Sequence, residues 1–65
     1  MITEQEVKGT NAFKKLNEFE QKFILKRKNI EIIDHTITVF RNTNYINENI
    51  GGKNLSIVKE ILKLN

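Results

Sequence analysis

The sequence predicts a small α+β domain in the order helix, β-hairpin, loop, helix. Apolar residues recur at spacings of three and four in residues 11–24 and again in residues 55–64, which is typical of amphipathic helices. A β-branched run in residues 29–41 has one apolar and one polar face, which is typical of paired strands. Residues 42–54 are rich in Asn and Gly and form the predicted loop. With 65 residues the chain has room for a single domain, residues 1–65.

The first helix is predicted from a stripe rich in phenylalanine that occupies about one third of the helix circumference. The stripe consists of Ala12, Phe13, Leu16, Phe19 and Phe23. We expect this stripe to cover part of the hairpin. Residues 1–10 are expected to be flexible or to add one extra turn.

Two sets of capping residues precede this helix. Thr10 or Asn11 can cap a helix that begins at residue 11. Thr3 followed three residues later by Glu6 matches a capping box and favours an earlier start. Gly9 argues against one continuous helix, because mid-helix glycine costs about 1 kcal/mol relative to alanine.

The hairpin is predicted from the stretch NIEIIDHTITV, with Asp34 and His35 at its turn. In this register directly opposed residues point to the same face of the strand pair. The apolar face then consists of Ile30, Ile32, Ile37 and Val39. The opposite face is mainly Glu and Thr, so the pair has one dry side and one wet side.

The closing helix, capped by Asn54, has an unusually wide apolar surface. Half of its circumference consists of Leu55, Ile57, Val58, Ile61, Leu62 and Leu64. One packing partner needs less than that. A chain of this size without disulfides also tends to need reinforcement. We therefore predict a homodimer, formed by joined hairpins or by packed closing helices.

Composition excludes several classes of protein. The chain has no cysteine and one histidine, so we expect no metal, no cofactor and no catalytic triad. We accordingly predict that it is not an enzyme and has no small-molecule substrate. No apolar run is long enough to span a bilayer and no secretory signal is visible, so we expect a cytoplasmic protein without membrane partners.

Three short motifs have ordinary structural interpretations. The Asp34–His35 pair suits an exposed turn better than acid–base chemistry. The GGKN segment at residues 51–54 lacks two fixed positions of a phosphate-binding loop, although free amides at the helix start could hold an anion. Residues 44–62 resemble a helix-turn-helix only in their second half.

Positive charge is concentrated in the first segment of the chain. The net charge is +3, and residues 1–28 carry seven Lys or Arg against four Glu, whereas residues 29–65 are balanced at four against four. Lys, Asn and Ile are also enriched by AT-rich codons, so charge alone is weak support for DNA binding. Short, cysteine-free chains of this composition are typical of phages and mobile elements.

The function predicted from these observations is non-catalytic binding of another protein, as a small regulator or inhibitor of the phage or mobile-element type. The predicted contact surface is an apolar helix face with a basic rim: Leu55, Val58, Leu62, Lys22 and Lys26.

Two alternatives stay open. The first is a DNA-binding transcriptional regulator, acting as a dimer through a basic flank. That flank would consist of Lys15, Lys22, Lys26, Arg27, Lys28 and Arg41. The second is a structural subunit whose surplus apolar face meets a neighbour in a larger assembly.

Overall fold

The computed structural model describes residues 1–43 and 50–63. This part of the chain contains five helices and no strand, so the predicted α+β fold with its β-hairpin is wrong. The helices are α1 (Glu4–Lys8), α2 (Asn11–Lys14), α3 (Glu18–Ile24), α4 (Arg27–Thr43) and α5 (Gly52–Ile61).

Helix α4 replaces the hairpin predicted over residues 29–41. Ile30, Ile33 and Ile37 are separated by three and four residues, so the same isoleucines also form a helical stripe. Ile33 and Ile37 point into the core, with 0% and 4% of their surface exposed. The Asp34–His35 pair lies inside the helix instead of at a turn.

The β-branched residues of α4 are accommodated at a small cost. Ile, Val and Thr lose at most about 0.7 kcal/mol each relative to Ala in a helix, which burial of one stripe outweighs. The threonine hydroxyls bond back to the preceding turn: Thr36 Oγ1 donates to the Ile32 carbonyl at 2.9 Å and Thr38 Oγ1 to the Asp34 carbonyl at 3.0 Å.

Residues 1–10 are anchored to the core. Val7 of α1 is fully buried and Ile2 is buried beside it. The Ile2 amide donates a 2.6 Å hydrogen bond to Asp34 Oδ1 on α4. The caps predicted at Thr3 and Thr10 are confirmed, since Thr3 Oγ1 accepts from the Glu6 amide and Thr10 Oγ1, not Asn11, accepts from the Phe13 amide.

The helix predicted over residues 11–24 is divided in two. Asn17 caps α3 with a capping box: its Oδ1 accepts from the Glu20 amide at 2.8 Å, and Glu20 Oε1 accepts from the Asn17 amide. This new helix start interrupts the phenylalanine stripe. Phe13 is buried before the break, whereas Phe19 and Phe23 are exposed after it.

Helix α5 is the centre of the core. It contacts α1, α2 and α4, and its Ile57 and Val58 have no exposed surface. The helix begins at Gly52, three residues before the predicted start at residue 55, and the predicted cap Asn54 lies in its first turn. The buried hydrophobic residues are Ile2, Val7, Phe13, Ile24, Ile33, Ile37, Ile57 and Val58.

Parts of three predictions lie outside the described residues. These are the middle of the 42–54 loop, the first half of the helix-turn-helix resemblance and the end of the closing helix at Leu64. Within residues 1–43 and 50–63, no helix has both the length and the apolar character that a membrane crossing requires.

Candidate protein-binding groove

Two phenylalanines of α3 are exposed side by side. Phe19 has 78% of its surface exposed and Phe23 has 50%. Their spacing of four residues places both rings on one face of the helix. Single exposed hydrophobic residues are ordinary, but adjacent aromatic rings at a concave surface are typical of binding sites.

The two rings form one wall of a groove of about 660 Å³ between α3 and the start of α5. We call it the Phe groove. Its α3 wall includes Phe19, Phe23 and Ile24, and its α5 wall includes Gly51, Gly52 and Asn54. This volume lies within the range of about 300–1,000 Å³ that is typical of ligand clefts.

The glycine pair leaves the backbone open to the groove. Gly51 has φ 97° and ψ 140°, a conformation that side chains other than glycine adopt only with strain. A Cβ atom built at Gly52 would meet no atom of the described residues within 4 Å. Among residues 1–43 and 50–63, no side chain caps the start of α5. This wall therefore offers backbone groups and free space instead of side-chain bulk.

Asn54 connects the groove to the core. Its side chain is buried and its Nδ2 donates to the Ile50 carbonyl at 3.3 Å, which supports the chain just before the glycine pair. The buried Oδ1 has no hydrogen-bond partner in the part of the chain that the structure describes. An unpaired buried oxygen costs about 1–3 kcal/mol.

An ion pair and a cation–π contact lie at the groove. Lys53 pairs with Glu20 across it, whereas the 3.5 Å pair between Lys22 and Glu18 lies elsewhere on α3, outside the residues that line the groove. Lys26 Nζ is 5.3 Å from the centre of the Phe23 ring. Because exposed ion pairs of this kind are worth about 0–1 kcal/mol, an incoming charged group can exchange with them.

Basic residues outnumber acidic ones over α3, the start of α4 and the start of α5. The five basic side chains and three carboxylates are Lys22, Lys26, Arg27, Lys28 and Lys53 against Glu18, Glu20 and Glu31, and of these Glu20 and Lys53 line the groove. The N-terminus of α5 adds about half a positive charge from its helix dipole.

A second groove, between α2 and α5, is occupied by the protein's own carboxylate. Glu60 accepts hydrogen bonds from the amides of Asn11 and Ala12 at the start of α2, the second at 2.9 Å. The Asn11 amide and then the Ala12 amide lower the pKa of Glu60, and Lys15 lowers it further, against a smaller opposing effect of burial. Glu60 therefore fills the anion position that α2 offers.

The predicted partner-binding residues divide between core and surface. Val58 is fully buried, and Leu55 and Leu62 are half-buried, so α5 does not present the broad free face that its sequence suggested. Lys22 and Lys26 are exposed, and Lys26 lies over the Phe23 ring, but neither is among the residues that line the Phe groove. The apolar part of the groove comes from phenylalanines that the sequence pattern had assigned to the core.

The predicted nucleic-acid-binding residues do not form one flank. Lys22, Lys26, Arg27 and Lys28 are exposed near the α3–α4 junction, whereas Lys15 lies at the α2–α5 groove. Lys28 and Arg41, both assigned to that flank, are about 20 Å apart along α4.

The sequence did contain a signal for the Phe groove. Asn17 followed by Glu20 is a capping-box pattern, which marks a new helix start inside the phenylalanine stripe. A break there predicts that the rings beyond it leave the face occupied by Phe13.

The remaining motifs have structural roles. Asp34 accepts the Ile2 hydrogen bond, and the neighbouring His35 is exposed. The GGKN segment forms the start of α5. Across residues 1–43 and 50–63, no group of three or more His, Cys, Asp or Glu side chains gathers in a way that could hold a metal ion.

Comparison of the chain with protein-family models, with curated proteins and with solved structures gives no match.

Proposed function

We propose that this protein is a small, non-catalytic, cytoplasmic binding protein that acts as a regulator or inhibitor by contacting another protein through the Phe groove. The observation that supports it most directly is the exposure of Phe19 and Phe23 along one wall of the groove. Aromatic side chains seated in a central pocket are the usual anchors of protein interfaces.

The energy available from the two rings is useful but limited. Burying a whole phenylalanine side chain contributes roughly 1.5–3 kcal/mol, and the exposed surface of the two rings together slightly exceeds one side chain. Their burial therefore contributes roughly 2–4 kcal/mol, whereas micromolar affinity requires about 8 kcal/mol. The rest must come from the rim and from the backbone of the glycine wall.

Nucleic-acid binding is the second candidate. Four exposed basic residues lie at the α3–α4 junction beside the two rings, an arrangement that single-strand binding proteins use for phosphates and bases. It ranks second because Glu20, which lines the groove, would repel a phosphate backbone.

A structural subunit of a larger assembly and a homodimer are further candidates, and each would place another chain in the same groove. The dimer predicted from hairpin edges loses that basis, because the described part of the chain has no sheet. A neighbouring subunit or a second copy would instead have to cover Phe19 and Phe23. Sedimentation velocity distinguishes association of this chain with itself from binding of a different protein.

The test is a selection of random displayed peptides against the immobilised wild-type protein. Peptides that it enriches should lose at least about tenfold in affinity for the Phe19→Ser variant, a loss of about 1.4 kcal/mol. Lys8→Glu is the matched surface control on α1, away from the groove, and should leave the affinity unchanged. Equal affinity of the enriched peptides for Phe19→Ser would contradict the proposal.

A further inference from the structure

We draw no further inference here: the strongest candidate, the Phe groove between α3 and the start of α5, carries none, because nothing in residues 1–43 and 50–63 shows what covers Phe19 and Phe23, and Lys53, which lines the groove, is already paired with Glu20.

Discussion

Helices α3 and α5 both contain apolar residues at helical spacing, yet these residues lie in opposite environments in the fold. In α5, Ile57 and Val58 have no exposed surface, because α1, α2 and α4 all contact this helix. In α3, Ile24 reaches the core while Phe19 keeps 78% of its surface in solvent. Periodicity shows that residues share a face, but the number of helices packed around that face decides whether it is buried.

The largest expected effect is the truncation of an α5 core residue. Ile57→Ala should destabilise the fold by about 2–5 kcal/mol, because it leaves a cavity at a position with no exposed surface. Phe19→Ala is the matched truncation on α3 and should change stability by no more than about 0.5 kcal/mol. Urea unfolding of both variants measures the contrast, and similar losses would show that α3 also contributes a buried face.

An intermediate effect is expected at the start of α5, where the groove and the core meet. Gly51→Ala should cost about 1–3 kcal/mol, because its φ of 97° strains any other residue. Gly52→Ala is the control: it is helical with open space at its Cβ position, and alanine there should stabilise by about 0.4–1 kcal/mol. Thermal unfolding compares the pair, and equal midpoints would contradict the assigned conformation of Gly51.

The smallest effect is a dependence on pH through Glu60. Its folded pKa lies below the ordinary value of 4.5, so its contribution to stability is fully present above pH 4.5 and is lost as pH falls through the folded pKa. Glu60→Gln should therefore flatten the decline in unfolding midpoint below pH 4.5. Glu4→Gln, on exposed α1, is the control and should decline as wild type does. Identical plots of unfolding midpoint against pH for wild type and Glu60→Gln would contradict a stabilising contact between Glu60 of α5 and the start of α2.

Local signals in the sequence were reliable where the chemistry was local. The Thr3 and Thr10 caps each act within three residues of themselves, so neighbouring sequence is sufficient to predict them. The Glu18–Lys22 ion pair is local in the same way, because the two residues are one helical turn apart.

The candidate site was predicted only in part. Lys22 and Lys26 were assigned to a basic rim and are exposed, and of the two Lys26 lies over the Phe23 ring of the groove. Its apolar wall was missed because Phe19 and Phe23 continue the spacing of Phe13, and nothing in that spacing reports the break that the Asn17 cap introduces. Val58, assigned to the contact surface, lies in the core because α5 is covered by three other helices.

The run from Asn29 to Val39 shows why such assignments need the tertiary structure. Its β-branched residues fit an alternating strand pattern and a helical stripe equally well over this short length. The helix prevails because Ile33 and Ile37 can then reach the buried face of α5 together, and that gain exceeds the small cost of β-branched residues in a helix.

The sequence by itself determined the caps at Thr3 and Thr10, the apolar periodicity of α5 and the positive charge of the first segment, because each depends on residues close together in the chain. Only the tertiary structure decided that α4 is a helix, that α5 is central and that Phe19 and Phe23 remain exposed. Those outcomes depend on which helices surround a face, and this is set by contacts between residues far apart in sequence, such as Glu60 with Asn11 and Asp34 with Ile2.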